Sequence, residues 1–351
     1  MRPAGTGRGT AVCRAAALAR RALRREGERG FAIVVVLWIF IVLFGLGAEF
    51  AQGMRQDATA ALNFADETQS YYLATAAANL TFYRALQMRD AGNLDGQAVP
   101  PTGDEAPPPP LVQFDGEWHQ QDLWGATVWV KATDEGGKIS INSATENVLT
   151  YVINNLGVPP KQASEIADAI LDWRDRDDEK RLNGAESEYY ASLPQPYVAK
   201  NAPLDSIEEL LLVKGVTPEL FYGHSDDVPI GLKDVFTVFN PHGKLNVTNA
   251  TPEVLKAFFK LDKDEMSQLL DTRDGGQASA LLPVLQAKVP DPTIAGMLEQ
   301  RSPSVVGVEV QAKLPSSRVS ARMSAVVDVT ESNEGVTVLR WMDSLPAEKV
   351  P

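Results

Sequence analysis

From Phe31 to Ala48 every residue is apolar or glycine. A run of that kind can cross a bilayer as a helix, which needs roughly 17 to 25 residues at 1.5 Å each. The pattern does not stop at Ala48. Phe64, Tyr71, Tyr72, Leu73, Leu80, Phe82, Tyr83 and Leu86 recur at spacings that lean toward helical, and no proline interrupts the chain between Phe31 and Pro100. One helix is therefore predicted from about 32 to 90, roughly 85 Å long and far longer than a bilayer is thick, with a span followed by a separate amphipathic helix as the alternative. A Pro-rich, acidic stretch, AGNLDGQAVPPTGDEAPPPP, follows as a linker. Alternation of apolar and polar residues then takes over. Residues 111–132 read as strand, turn and strand, with Val128 and Val130 alternating against Thr127 and Trp129. The segments 304–314, 318–330 and 335–343 read as three more, joined by PSS and ESNE turns. A long helix followed by an antiparallel sheet is an α+β arrangement.

Between the strand groups lies an internal repeat. GKISINSATENVLTYVI (137–153) and GKLNVTNATPEVLKAFF (243–259) share Gly-Lys, an alternating apolar step, Ala-Thr and Val-Leu at matching places. Each unit predicts a short strand (Ile139 and Ile141; Leu245 and Val247) running into a helix, with Ser143 or Asn249 as N-cap. Two matching strands around a hundred-residue block imply that the block is inserted into the sheet-bearing domain. Inside it, helices are predicted at 160–174 and 205–213, the second capped by Asp205 with Glu208 completing a capping box.

Composition sharpens this picture through its asymmetry. The chain has 351 residues, 44% hydrophobic and 23% charged, with a net charge of −13. Residues 1–30 carry eight Arg and two Glu, hence +6, which leaves −19 on the remainder from 25 basic and 44 acidic residues. Nucleic-acid binding draws most of its affinity from Lys and Arg neutralising phosphates, so an acidic body argues against that partner class. The single cysteine is Cys13, so a product lacking the basic segment has no thiol, which suits an oxidising compartment. Arg-rich sequence before the apolar run and Glu49, Asp57, Asp66 and Glu67 after it place the N-terminus on the cytoplasmic side and the body outside. A secretory signal would have a shorter apolar run and an A-x-A-like site after it, whereas here the helical pattern continues.

A basic leader ending in Gly30, then Phe31, then an apolar helix that turns amphipathic, resembles the N-terminus of type IV pilins and type II secretion pseudopilins. The resemblance implies cleavage between Gly30 and Phe31 by the prepilin peptidase, methylation of the new terminus, and retention of the apolar helix in the bacterial inner membrane with the body in the periplasm. Most members carry Glu as the fifth mature residue; here that place is Val35. A carboxylate in an apolar helix is costly unless paired, and in the family it meets the terminal amine of a neighbouring subunit. A subunit without it needs no partner ahead of it, as at a fibre tip. Further motifs, GKxxINxATxxxL, ILDWRDxD, NGAExxxY, KNAPLDSIEELLLVKGVTPEL and GLKDVFTVF, are similar to those of the GspK family (general secretion pathway protein K), a minor pseudopilin of the type II secretion system.

That family resemblance implies a pilin-like α+β fold with an inserted α-helical domain. It divides the chain into a leader 1–30, the membrane-spanning part 31–50, the rest of the helix with linker and first strands 51–142, the insertion 143–240 and the second part of the pilin-like domain 241–351. It implies a pseudopilus-tip role in starting assembly for export of folded proteins. The implied partners are two other minor pseudopilins, the major pseudopilin, the prepilin peptidase and the inner-membrane assembly platform.

The acidic segment DWRDRDDEKRLNGAESEYY (172–190) admits two readings. One is a solvated acidic loop at a helix end. The other is a calcium site, since carboxylates on a flexible loop are hard oxygen ligands and the GspK family's helical domain is associated with calcium. In the second reading the ligands are Asp175, Asp177, Glu186 and Glu188. Catalysis finds no pattern: His119, His224 and His242 have no nucleophile nearby, and no G-x-S-x-G or phosphate loop occurs. DTRDGG (271–276) reads as a charged helix end and turn. Two rival classes are considered. The NLGV and VKGV turns resemble helix-hairpin-helix modules of DNA-binding and uptake proteins, but such modules surround the hairpin with Lys and Arg, and here only Lys214 is close. A plain single-pass periplasmic interaction protein explains the span but not the Gly-Phe junction.

Overall fold

A computed structural model describes residues 9–91, 113–223, 228–315, 317–330, 336–343, 345–346 and 350, with side chains from Phe31 onward except at 90, 91, 274, 276 and 278. The Pro-rich linker, the ESNE turn and His224 lie outside the described residues. The first helix, α1, spans Gly9–Ala91. It starts within the leader, earlier than expected, because Ala, Leu and Arg, which dominate residues 11–25, are strong helix formers. The chain divides into two compact units, one up to Ala65 and one from Asp66 on. In the first, the side chains of the apolar run are exposed, Phe31, Trp38 and Phe44 among them. This segment is long and apolar enough to cross a membrane.

In the second unit, β1 (Asp115–Leu123) and β2 (Ala126–Asp134) form a hairpin. The inserted block then brings β3 (Ile139–Ser140), α2 (Glu146–Asn155), α3 (Pro160–Arg174), α4 (Ser187–Ala191), a 3-10 turn (Ile207–Leu212), α5 (Pro218–Tyr222), α6 (Leu232–Val235) and β4 (Phe236–Thr237). It continues with β5 (Leu245–Asn246), α7 (Pro252–Phe259), α8 (Lys263–Thr272), α9 (Leu281–Lys288), α10 (Pro292–Ala295) and β6 (Leu298–Glu299). The chain closes with β7 (Val305–Lys313), β8 (Ser320–Asp328) and β9 (Thr337–Met342). The main sheet is β1-β2-β7-β8-β9, antiparallel throughout.

The sheet is roofed by the end of α1. In β2, Ala126, Val128, Val130 and Ala132 are buried while the residues between them are half-buried, as a strand with one core face requires. They pack with Val306, Val308, Val310, Met323, Ala325 and Val327 against Leu73, Phe82 and Met88 of α1. Ala74, Ala77, Ala78 and Ala85, all 2% exposed or less, keep the helix surface low enough for close approach.

A separate core holds the inserted block. The sequence placed the block at 143–240, between the repeats. In the structure everything from Glu135 to Ser304 lies between the neighbouring strands β2 and β7, so both repeats belong to it, and the sheet-bearing part resumes at Val305 rather than 241. Leu245, Val254, Phe258 and Leu298 share one core with Ile139, Leu149 and Ile166. The short repeat strands pair not with the main sheet but each with a parallel partner of its own: β3 with β4, β5 with β6. Each repeat also carries the same clamp. Arg174, at the end of α3, donates to the carbonyls of Ile141 and Ala144 (the latter 2.6 Å). Arg273, just after α8, donates to the carbonyl of Ala250, the repeat counterpart of Ala144, at 3.1 Å. LDWRD (171–175) and LDTRD (270–274) are thus corresponding sequences.

Two local expectations are corrected. The helices after the repeat strands are capped not by Ser143 and Asn249 but two residues later, by Thr145 and Thr251; the Thr251 hydroxyl accepts from the Val254 N–H. Ser143 and Asn249 fall in the turn leading out of each short strand. The segment expected as a helix at 205–213 is 3-10, and its capping box is Ser206 with Glu209, one position on from Asp205 and Glu208. The helix at 160–174 is found at those residues.

Because the Arg174 guanidinium closes two carbonyls of the first repeat, Arg174→Ala should lower the unfolding free energy by about 1 to 3 kcal/mol, the cost of leaving such groups unsatisfied. Equilibrium denaturation of the full chain in detergent checks this; an unchanged midpoint would show that the clamp carries no stability.

Candidate cation site in the inserted domain

The acidic loop leaves the C-terminal end of α3. Helical spacing places Asp168, Asp172 and Asp175 at i, i+4 and i+7, on one face. Asp168 Oδ2 accepts from Asn183 N (3.1 Å) and Nδ2 (3.2 Å). Asp172, fully buried, accepts from Arg181 N (3.3 and 3.2 Å to its two oxygens), and Arg181 Nε lies 3.3 Å from Oδ1. Lys214 Nζ ties the loop from the other side through the carbonyls of Asn183 (3.0 Å) and Gly184 (3.1 Å). Gly184 is required here, since a Cβ would lie 1.9 Å from Asp172 Oδ2. These contacts fold the loop back onto α3.

The folded loop brings Asp175, Asp177 and Glu186 together, one carboxylate oxygen of each lying within 4.8 Å of the others. Glu188, expected beside them, is exposed in the first turn of α4 and stands outside the group. Glu186 is 5% exposed, yet neither of its oxygens accepts a hydrogen bond among the described residues. Asp175 Oδ1 is likewise buried without a donor. So is Oδ1 of Asn201, a residue held at φ 47° whose Nδ2 donates to the Asp177 carbonyl and to Asp178 Oδ1, each at 3.0 Å. Orphaned buried acceptors on this scale are rare in folded proteins.

The electrostatics agree. Burial pushes the Glu186 carboxyl up to about 7, with Asp172, Asp175, Asp178 and Asp177 adding repulsion. Burial, with Asp175 adding to it, pushes Asp172 up to about 6 despite the Arg181 contacts. Asp175 is also raised, by burial and then by Asp177. A group of oxygen donors carrying excess negative charge, with no nitrogen or sulfur ligand among them, has the donor chemistry of a hard divalent cation such as calcium. Asp172 and Asn201 border the three of the four sequence-read residues that the fold brings together, Asp175, Asp177 and Glu186. The i, i+4, i+7 spacing could have found Asp172; Asn201 arrives from a distant turn and left no local signal.

Comparison with known proteins points one way. Residues 129–223 match the family described as type II secretion system (T2SS), protein K. The type II secretion system protein K of Pectobacterium carotovorum subsp. carotovorum is 27% identical over 202 residues, 56% of this chain and 61% of that protein. Its namesake in Klebsiella pneumoniae is 25% identical over 211 residues, 55% and 60% of the two chains. The matches thus span about three-fifths of the length of these relatives. In fold, the chain is similar to a crystal structure of the GspK-GspI-GspJ complex from the enterotoxigenic Escherichia coli type 2 secretion system, with a TM-score of 0.52 at 15% identity over 80% of this chain and 98% of the other. Residues 129–223 are thus similar in sequence to type II secretion system protein K, as the motifs read within them predict, and the fold is similar to that of the solved complex.

Proposed function

We propose that the chain is a minor pseudopilin of a type II protein secretion system, a structural rather than catalytic component placed at the tip of the periplasmic pseudopilus. One observation carries this reading: a bilayer-length apolar helix starts directly after a basic leader, in a chain whose α1 roofs an antiparallel sheet interrupted by a helical insertion. After cleavage between Gly30 and Phe31 the apolar helix stays in the inner membrane, N-terminus cytoplasmic and body periplasmic. It packs there against two other minor pseudopilins, in contact with the major pseudopilin and the assembly platform. The solved relative belongs to a complex with two other proteins, GspI and GspJ, which supports a three-part assembly. Tip placement follows from two features. Val35 offers no carboxylate to a subunit ahead, and the block 135–304 is bulk that would obstruct subunits stacked above it. The net charge of −19 beyond the leader disfavours nucleic acid as a partner.

The acidic loop serves this role as a calcium-stabilised element, with Asp175, Asp177 and Glu186 as carboxylate ligands, Asn201 Oδ1 as a neutral one, and Asp172 adding charge behind them. The ion supplies the positive charge that the orphaned oxygens of Glu186 lack. It fixes the turn from α3 to α4.

Processing tests the class. Edman sequencing and mass of the protein from membranes should show a chain beginning at Phe31 only where the prepilin peptidase is present; an intact Met1 chain in both strains would remove the pseudopilin reading. Thermal unfolding tests the ion. Calcium at 100 times its dissociation constant should add about 2.7 kcal/mol of stability. Glu186→Gln should lose most of that gain. In chelator the sign reverses. A carboxyl whose folded pKa is raised contributes stability below its unfolded value and loses it as pH rises through about 7. Glu186→Gln without calcium should therefore melt above the wild type at pH 8, with the advantage vanishing toward pH 4.5. Equal calcium responses of the two proteins would leave the bland reading, a solvated loop.

A further inference from the structure

The main sheet and the inserted block meet at the end of β2, where two adjacent carboxylates are buried. Asp134 is 1% exposed and Glu135 is 5% exposed. Each is held by a different repeat unit. Glu135 accepts from the hydroxyl of Thr237 in β4, which closes the first unit, and from Lys138 Nζ (3.0 Å) and Thr133 Oγ1 (3.3 Å). Asp134 reaches the second unit: Oδ2 accepts from Asn246 Nδ2 (2.7 Å) in β5 and from Asn249 Nδ2 (3.2 Å), while Oδ1 accepts from Gly136 N (2.9 Å). Asn246 extends the link by donating to the Arg301 carbonyl (2.9 Å) just before β7. The joint has no slack, since a Cβ on Gly137 would lie 2.6 Å from the Asn249 carbonyl oxygen.

The two carboxylates differ in what compensates them. Burial pushes Glu135 up, but Lys138, Thr237 and, farther off, Arg340 outweigh it and hold the carboxyl below its ordinary value. Asp134 has amide donors only. Burial is its largest influence, the donors offset part of that, the Glu135 charge adds to it, and the carboxyl is pushed up to about 6. The neighbouring charges are few. Its own turn offers Glu135 and Lys138; the β5 side offers the amides Asn246 and Asn249; β7 places Val306 opposite. On the segment before β7, Arg301 pairs with Glu299 (3.4 Å). Near them His242 is held below its ordinary value, chiefly by burial and then by Arg301.

We propose that Asp134 is a proton-operated latch that sets how firmly the second repeat unit stays docked on the end of the sheet. Opening the joint hydrates the carboxylate and returns it to ordinary carboxylate behaviour. The closed joint therefore binds the proton more tightly than the open one. Stability of the closed form is largest at low pH and is lost as pH rises through the closed-state value of about 6. Between pH 7.5 and pH 5, closed and open values of about 6 and 3.8 make the opening equilibrium about tenfold less favourable. The ion site plays no part in this, because its carboxylates belong to the loop after α3.

Hydrogen exchange on the full chain in detergent, corrected for the intrinsic pH dependence of exchange, tests the latch at segments 134–140 and 244–251. Protection should rise about tenfold from pH 7.5 to pH 5, the opening equilibrium falling to half its alkaline value at a midpoint near 6 and continuing to fall below pH 5, and Asp134→Asn should abolish the pH response. Should that variant fail to fold, Asn249→Ala serves instead: it removes a donor that favours the ionised form, so the midpoint must move upward. A wild-type profile that is flat or loosens on acidification, a response that survives Asp134→Asn, or an unmoved midpoint in Asn249→Ala would each overturn the proposal.

Discussion

The ladder between β2 and β7 is the constraint on which the architecture of the sheet-bearing unit depends. Thr127 through Asp134 pair antiparallel with Lys313 through Val306, although the whole inserted block separates the two strands in sequence. Adjacent strands lie about 4.8 Å apart, so the block must leave and return at almost one point. It meets that demand with closed subunits. Each repeat starts with a short strand and ends with a parallel partner beside it, and an arginine clamp ties each strand-to-helix turn to a later helix end. The insertion thus carries its own core, while the sheet keeps a second one beneath α1. The polar joint at Asp134 and Glu135 lies where these two bodies must be reconciled.

Charge follows the same division of labour. Positive charge is concentrated in the leader, and the remainder is strongly acidic. In the proposed assembly, an apolar helix with valine at position 35 would enter a bundle without bringing a buried carboxylate that would need an amine opposite it. The loop after α3 concentrates carboxylates beyond what Arg181 and Lys214 offset, an excess that the calcium ion proposed there would neutralise. In this account the membrane helix supplies association, the sheet supplies a rigid base, and the inserted block supplies the bulk that ends a fibre.

Much of this was legible from the amino acids because the signals were long or periodic. The apolar run, the strand alternation in β2 and the helix at 160–174 each show their own period, and the structure contains all three. The border of the insertion was not legible. Repeats flanking a block read as strands of the surrounding sheet, whereas both repeats are inside the block and pair elsewhere, a fact set by tertiary contacts such as Leu245 with Leu298. Caps slipped by one or two positions at Thr145, Thr251 and Ser206 because Ser, Thr, Asn and Asp cluster there and compete for the same role. At the acidic loop, composition selected Glu188 on equal terms with Glu186. Only the fold separates them, by turning one inward and leaving the other in solvent.

The central claim is that this chain ends an assembly rather than extending one. Native mass spectrometry of the complex extracted from membranes of cells that express the chain with its cognate minor pseudopilins tests it most directly. The account predicts one copy of this chain with one copy each of two other minor pseudopilins. Recovery of the chain alone, or of assemblies containing several copies of it in a row, would contradict the account.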